Sequence, residues 1–222
     1  MAFDDPSWHL GVPAPPEAWN RIVFSRVGST NTVGKQIARD SLHEELTLLP
    51  TMIAAVEQFA GRGRQGREWI SPAGGIYVTL VLPVSDPDSQ AALPLTVATA
   101  LCSELDRIVE PGCGLEWPND LVVESRKLGG ILIEGVGRGS SFIAIIGFGI
   151  NYYPSGSAVL ARSTSIVESA TDPPSLRDLM HRLIDSVAQT VVQEIDRERV
   201  VEQYAAWSVH EIGEVMSCRT LT

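Results

Sequence analysis

The most distinctive chemical groups in the sequence lie in residues 61–67, GRGRQGR, which combine three arginines with three glycines. The arginine guanidinium is planar and permanently charged, and it binds carboxylate and phosphate oxygens through paired hydrogen bonds. Glycine lets backbone N–H groups approach the same oxygens closely. The segment therefore predicts an anion-binding loop. The motif alone leaves open a flexible surface loop or a weak nucleic-acid contact.

Further polar motifs occur where predicted strands end. They are GSTN at 28–31, Gln58, WPND at 117–120, Lys127 before Gly129–Gly130, and GFGIN at 147–151. Each alone has a simpler explanation: Ser29 as a helix cap, Asn119–Asp120 as a turn and Lys127 as a solvated charge. Their occurrence together predicts one shared site.

The segments between these motifs have the periodicity of strands and helices. Strands are predicted at 21–27, 52–58, 76–84, 121–124, 130–134 and 142–150, the last three as a meander. Helices are predicted after Gly28, across 95–108, from Ser175 to Val191, and in a shorter stretch to about Trp207. This mixture indicates a central mixed β-sheet flanked by helices, an α+β fold.

Composition limits the classes of function. With 27 acidic against 17 basic residues the net charge is −10, which argues against a broad nucleic-acid or anionic-membrane surface. Three scattered cysteines predict neither a disulfide framework nor a zinc site, and they favour a cytoplasmic location. The four histidines are far apart and receive no chemical role. We also expect no secretion signal and no membrane span.

Taken in order, GSTN, EQFAGRGRQGREWISP, WPND, RKLGGILIEG and GFGIN resemble the catalytic domain of biotin protein ligases. The resemblance is strong across 21–151 and looser to Trp207. It implies the biotin/lipoate ligase catalytic fold, related to class II aminoacyl-tRNA synthetases. It also implies a two-step reaction, in which biotin and ATP form biotinyl-5′-AMP and pyrophosphate, and a lysine of a biotin carboxyl carrier protein then accepts biotin.

The same resemblance implies roles for individual residues. Ser29, Thr30 and Gln58 would bind the ureido end of biotin, with backbone groups near Gly61 and Arg62, and Gly130 would also belong to the biotin site. Arg62, Arg64 and Lys127 are the catalytic candidates, because positive charge is needed where the carboxylate attacks phosphorus. The nucleotide-binding candidates are Arg64, Arg67, Trp69, Asn119, Asp120, Lys127, Gly149 and Asn151. Trp69 would stack on adenine, with a core-filling role as the alternative, and Gly130 and Gly149 would let the ligand approach closely. Asp120 would act indirectly on Mg²⁺.

Two features depart from the family pattern. Glu116 stands where a lysine usually precedes WPND, which is expected to weaken nucleotide binding unless its side chain points away. Residues 1–20 are expected to be an irregular lead-in, too short for the DNA-binding domain of repressor members. We assign 21–207 to the catalytic domain and 208–222 to a remnant or the start of a small C-terminal β domain.

Two rival functions stay open. A lipoate or octanoate ligase would use the same acyl-adenylate chemistry on another acid, and a non-catalytic biotin- or adenylate-binding module would lack turnover. The expected small molecules are biotin, ATP and Mg²⁺. The expected state is a monomer or a homodimer that binds no nucleic acid.

Overall fold

A seven-stranded mixed sheet forms the centre of the computed structural model, which describes residues 19–84, 87–139, 141–154, 162–191 and 196–210. The strands are β1 (Asn20–Val27), β2 (Thr51–Gln58), β3 (Ile76–Pro83), β4 (Gly114–Glu116), β5 (Asp120–Val123), β6 (Arg126–Arg138) and β7 (Ser141–Ile150). Their order is β1-β2-β3-β7-β6-β5-β4, with β1 and β2 parallel and all other neighbours antiparallel. The predicted mixed sheet and its meander are confirmed.

Helices cover both faces of this sheet. They are α1 (Thr30–His43), α2 (Pro87–Asp106), α3 (Ile166–Ser169), α4 (Leu176–Val191) and α5 (Arg197–Trp207). Side chains alternate between the faces, as in β2, where Met52 and Ala54 join the larger core cluster and Ile53 joins the smaller one beneath α1. The central strands are therefore buried on both sides.

Helix α1 lies unusually close to the sheet. A Cβ atom at Gly34 would lie 2.8 Å from Val81 Cγ2, and one at Gly147 would collide with the carboxamide of Asn31. Glycine at these two positions lets the first turns of α1 rest on β3 and β7. The polar GSTN motif is thereby fixed over the middle of the sheet.

Three local features differ from the sequence prediction. The short strand β4 has no counterpart in it, because three residues are too few to show a period. Strand β6 runs for 13 residues, well past the predicted 130–134. Helix α2 starts at Pro87 and ends at Asp106, so Ile108 lies beyond it.

The turn from β5 to β6 has two left-handed residues, Glu124 (φ 48°) and Ser125 (φ 62°), the geometry of a tight hairpin.

The two ends of the chain lie largely outside the described residues, among them 1–18 and 211–222. The predicted lead-in and most of the proposed C-terminal remnant therefore receive no structural account. Within the described part, Ser208 bridges to Leu115, and the Val209 N–H donates to the Leu115 carbonyl at 3.0 Å. Ser208 and Val209 thus contact the edge strand β4 through a single bridge and one backbone hydrogen bond. None of the described helices is long and apolar enough to cross a membrane.

Candidate active site

A cavity of about 460 Å³ opens on the α1 side of the sheet. It lies between the first turn of α1, the arginine-rich segment and the strand ends of the meander. All of the predicted site residues except Gly61 line it: Ser29, Thr30, Gln58, Arg62, Arg64, Arg67, Trp69, Asn119, Asp120, Lys127, Gly130, Gly149 and Asn151. Residues from five separate motifs therefore meet in one place.

Gly61 departs from the expected arrangement. It is buried outside the cavity lining, and a Cβ atom there would collide with the Trp69 carbonyl oxygen and the Ser71 hydroxyl. Its own carbonyl accepts a hydrogen bond from the Trp69 N–H at 2.9 Å. Glycine is therefore required here for a close approach of two chain segments, and not for contact with the cavity.

The arginine-rich segment is a narrow hairpin, defined here as the arginine hairpin, residues 58–71. Backbone bridges join Gln58 to Ser71 and Arg62 to Glu68, and the Gly63 N–H donates to the Arg67 carbonyl at 2.8 Å. At its tip is a single 3-10 turn, Arg64–Gly66. The predicted loop is thus closed on itself by backbone hydrogen bonds, and its tip projects the arginines over the cavity.

Hydroxyl and amide groups form one end of the cavity. The Gln58 Oε1 atom accepts from the Thr30 N–H at 2.8 Å and from the Thr30 hydroxyl at 3.2 Å, while Gln58 Nε2 donates to the Ser71 hydroxyl at 2.9 Å. Thr79 lies behind them, its hydroxyl 2.8 Å from that of Thr30 and 2.7 Å from Asn31 Oδ1. This end offers both donors and acceptors to a ligand.

Ser29 occupies the N-cap position of α1, as predicted, but its side chain makes no capping hydrogen bond. The N–H of Thr30, the first residue of the helix, donates to the Gln58 amide oxygen. Ser29 is buried, and it lines the cavity. A side chain of β2 therefore satisfies the first N–H of α1, which is a different N–H from those of the second and third helical residues that an N-cap serine would accept from.

Trp69 lies against the surface of the sheet. Gly130 and Gly149 are opposite each other across β6 and β7, and Cβ atoms there would lie 3.4 Å from Trp69 Cζ3 and 2.6 Å from Trp69 Nε1. The indole of Trp69 therefore occupies part of the space above these two glycines, and both glycines still line the cavity. The indole nitrogen is buried and makes no hydrogen bond within the described residues. Trp69 lines the cavity half-buried and is not an interior core residue.

Lys127 lies beside this indole. Its Nζ atom is 2.6 Å from Asp120 Oδ2 and 5.1 Å from the centre of the Trp69 ring. Arg64 Nη1 approaches Asn119 Oδ1 at 3.5 Å, and Asn119 Nδ2 donates to the Ile131 carbonyl at 2.8 Å. Positive groups from the arginine hairpin and from β6 therefore face the cavity on the side of the WPND motif.

Asn151 lines the same cavity and holds two neighbouring backbone segments together. Its Nδ2 group donates to the Thr164 carbonyl at 3.1 Å and to the Lys127 carbonyl at 3.3 Å. It thus ties the end of β7 to the start of β6, where Lys127 is located. Its structural contact is with the backbone of the predicted catalytic lysine.

Glu116, the residue that departs from the family pattern, is exposed and does not line the cavity. Its neighbour Trp117 does, and the Trp117 N–H donates to His210 Nε2 at 3.1 Å. Because the Glu116 side chain lies outside the cavity lining, its charge repulsion towards a triphosphate in the cavity is expected to be weaker than the sequence alone implied. Among the described residues there is no cluster of three or more histidine, cysteine or acidic side chains that could hold a metal ion.

Sequence reasoning missed an ionic group behind the arginine hairpin. Glu134 of β6 contacts Lys35 and Asn31 of α1 and also Arg62. Burial by itself raises the pKa of Glu134, but the hydrogen bond from Lys35 and the charges of Arg62 and Lys35 lower it below its usual value, with help from Asn31. The sequence did contain an indication of this group. Glu134 lies four residues after the predicted site residue Gly130, and residues four apart in a strand point to the same face of the sheet.

Comparison with known proteins places these features in a family. The model of the Biotin/lipoate A/B protein ligase family matches residues 23–151, which include all five motifs. A biotin–[acetyl-CoA-carboxylase] ligase of Paracoccus denitrificans is 38% identical over 154 residues, covering 62% of this chain and 64% of the relative. The corresponding ligase of Mycobacterium tuberculosis is 30% identical over 183 residues, covering 79% of this chain and 65% of the relative. The chain therefore spans just under two thirds of the length of each.

Solved structures agree on the fold. The biotin protein ligase from Leishmania major in complex with biotinyl-5-AMP superimposes with a TM-score of 0.70 at 24% identity, covering 94% of this chain and 87% of that chain. At this identity the likeness concerns the fold. Since the family model covers more than half of the chain and includes the arginine hairpin, WPND and GFGIN, this chain belongs to the Biotin/lipoate A/B protein ligase family.

Proposed function

We propose that this protein is an ATP-dependent biotin ligase that forms biotinyl-5′-AMP and transfers biotin to a lysine of a biotin carboxyl carrier protein. One observation carries the proposal. The cavity has an uncharged donor and acceptor end around Gln58 and Thr30, and a cationic end with Arg64, Arg67 and Lys127. Biotinyl-5′-AMP needs both environments, because its urea ring requires hydrogen-bond donors and acceptors and its acyl phosphate requires positive charge.

The first step joins biotin to the nucleotide. A carboxylate oxygen of biotin attacks the α-phosphorus of ATP, the bond to the bridging oxygen of the β-phosphate breaks, and pyrophosphate leaves. Lys127, with Arg62 and Arg64, would stabilise the charge that develops on the phosphate oxygens. Because the Lys127 ammonium already lies against Asp120, its position is fixed before the substrate binds.

The second step transfers the biotinyl group. The amine of the acceptor lysine attacks the acyl carbon, AMP leaves with the bonding pair, and the amine loses a proton as the amide forms. Both nucleophiles come from substrates, so the protein needs no nucleophile of its own. Its tasks are to hold the two substrates together, to exclude water from the mixed anhydride and to supply positive charge.

The nucleotide site is assigned to the WPND side of the cavity. Trp69 would stack on adenine, Arg67 would bind phosphate, and Asn119, Gly149 and Asn151 would complete the nucleotide pocket. On the biotin side, Ser29 and Gly130 would contact the ring system with Gln58 and Thr30. This assignment follows the resemblance of the motifs and is supported by their meeting in one cavity.

Mg²⁺ fits this arrangement as an ion held mainly by triphosphate oxygens. Two carboxylates of the described residues line the cavity, Asp120 beside the Asn119 carboxamide and Glu68 of the arginine hairpin, and such a sparse set of oxygen ligands suits a cation that keeps several waters. When bound, the ion would neutralise phosphate charge. Asp120 would reach it indirectly, since its carboxylate is already paired with Lys127.

The names of the relatives favour biotin over other acids. The Paracoccus and Mycobacterium proteins are biotin–[acetyl-CoA-carboxylase] ligases, which supports a biotin carboxyl carrier protein as the partner here. We further propose that the catalytic domain spans residues 21–207, that the protein is a monomer or a homodimer, and that it acts in the cytoplasm. The buried free thiols of Cys102 and Cys113 agree with a reducing compartment.

Pyrophosphate release tests the proposal. The protein is mixed with ATP, Mg²⁺ and either biotin, lipoate or octanoate, and pyrophosphate is measured over time. Biotin-dependent release followed by labelling of a purified carrier domain is the expected result. Preference for lipoate or octanoate would select the rival ligase, which the family name also includes. Tight biotin binding without pyrophosphate release would indicate a non-catalytic module.

A further inference from the structure

An ionic cluster at the edge of the cavity joins α1, β6 and the arginine hairpin; its members Arg62 and Asn31 line the cavity, whereas Lys35 and Glu134 do not. Lys35 Nζ lies 2.7 Å from Glu134 Oε1, and Arg62 Nη2 lies 3.6 Å from the same oxygen. The other carboxylate oxygen accepts from Asn31 Nδ2 at 3.4 Å. The Glu134 side chain is only 15% exposed, whereas that of Arg62 is 42% exposed. One largely buried carboxylate is therefore shared by a close, less exposed cation, Lys35, and a more distant, more exposed one, Arg62.

We propose that Glu134 is a positioning residue that holds the Arg62 side chain in the ligand-free protein, and that Lys35 sets how tightly it is held. This inference rests on the proposed function, in which Arg62 binds the anionic part of the ligand. Neither Glu134 nor Lys35 lines the cavity, so each reaches it through a neighbour, and the charged neighbour that lines the cavity is Arg62.

The distances explain why Arg62 can leave. Its contact with Glu134 is the longest of the three, and no hydrogen bond accompanies it among the described contacts. When the guanidinium turns towards a ligand, Glu134 keeps the ammonium of Lys35 and the amide of Asn31. The buried carboxylate therefore stays paired, which avoids the large cost of an isolated buried charge.

Lys35 allows Arg62 to leave Glu134, because it competes with Arg62 for the same carboxylate oxygen. Without its charge, Arg62 would be the one cation of the described residues left on a largely buried carboxylate, and it would be bound more firmly. The ligand would then have to displace a stronger ion pair. Neutralising Lys35 should therefore weaken ligand binding although Lys35 touches no ligand, and this effect should require Glu134.

A double-mutant cycle with Lys35→Met and Glu134→Gln isolates this coupling. Hydrogen exchange of residues 61–67 is measured without ligand, and the biotin and ATP dependence of pyrophosphate release is measured for each variant. Lys35→Met should slow the exchange and raise the half-saturating biotin concentration about fivefold, within the range of coupled charged neighbours. In the Glu134→Gln background, Lys35→Met should change neither quantity.

Arg39→Met is the matched control, because it removes the same charge from the exposed surface of α1 one turn further on. It should leave both measurements at their wild-type values. Thermal unfolding of each variant establishes that it is folded. Equal effects of Lys35→Met in both backgrounds, or no effect in either, would overturn the inference.

The two readouts separate this inference from the proposed function. If the wild-type protein releases no pyrophosphate with biotin, the proposed function fails, yet exchange of the arginine hairpin still reports how Glu134 holds Arg62. If the wild type is active and the exchange rates do not follow the cycle, only the inference fails.

Discussion

Lys127 and Asp120 form the shortest ion pair at the cavity, with 2.6 Å between Nζ and Oδ2. The two residues lie on adjacent strands, β6 and β5, and both are less than half exposed. The carboxylate orients the ammonium without burying it, because the cavity remains open beside them. A cation held in this way is suited to stabilise charge that develops during a reaction.

Lys127→Ala is therefore expected to lower kcat about 10²- to 10³-fold, the usual loss on removing one preorganised charge-stabilising group. The apparent affinity for biotin should change little, since its uncharged end binds elsewhere. Steady-state kinetics of biotin-dependent pyrophosphate release measure both quantities. Glu116→Lys serves as the comparison, because Glu116 is exposed and outside the cavity. A larger effect of Glu116→Lys on ATP affinity than of Lys127→Ala on turnover would contradict this placement of the two residues.

Gly149→Ala should displace the indole of Trp69. The added Cβ would lie 2.6 Å from Nε1, and overpacking of this kind costs about 1–3 kcal/mol. If Trp69 stacks on adenine, KM for ATP should rise about tenfold, which corresponds to 1.4 kcal/mol. Gly137→Ala is the control, because its Cβ would meet nothing closer than 3.5 Å in the same strand pair. A normal KM for ATP in Gly149→Ala would argue against adenine stacking.

Gln58→Glu should impair biotin binding selectively. The substituted carboxylate still accepts from the Thr30 N–H, but it cannot donate to the Ser71 hydroxyl as Gln58 Nε2 does. An unmatched charge also enters the uncharged end of the cavity. We expect the biotin KM to rise about 10- to 100-fold, with a much smaller change for ATP. Gln36→Glu, on the exposed side of α1, should match the wild type. Equal increases for both substrates would show a general defect.

Most of the sheet could be predicted because its strands are regular. β2, β3 and β7 are continuous apolar runs, and the structure buries them on both faces as such runs require. Strand β4 could not be predicted, because its pairing depends on the neighbouring strand more than on its own three residues. The length of β6 was likewise underestimated, since its glycines at 135 and 137 interrupt the strand pattern.

The candidate site was predictable residue by residue but not in its contacts. The motifs identified Gly130, Gly149 and Trp69, yet nothing in their spacing shows that the indole occupies part of the space above both glycines. In the same way, Lys35 and Glu134 are about 100 positions apart and meet only through the packing of α1 on the sheet. Contacts of this kind depend on long-range packing, which local periodicity does not encode.

The acid stability of the protein should depend on Glu134. In the folded protein, burial raises the pKa of this carboxyl, but Lys35, Arg62 and Asn31 lower the pKa below its ordinary value overall. A carboxyl with a lowered pKa stabilises the fold above its unfolded pKa, and this contribution is lost as the pH falls through the lowered folded value. Glu134→Gln should therefore destabilise the protein at pH 7, and the difference from the wild type should shrink as the pH falls below the ordinary pKa of a glutamate, about 4.3.

Urea unfolding of the two proteins between pH 7 and pH 3 measures this difference. Glu57→Gln is the matched control, because it removes a carboxylate whose ion pair with Arg26 is exposed to water and contributes little. Its stability should follow the wild-type pH dependence closely. A constant difference between Glu134→Gln and the wild type at every pH would mean that the loss comes from packing or hydrogen bonding. In that case the charge of Glu134 would not stabilise the contact between α1, β6 and the arginine hairpin.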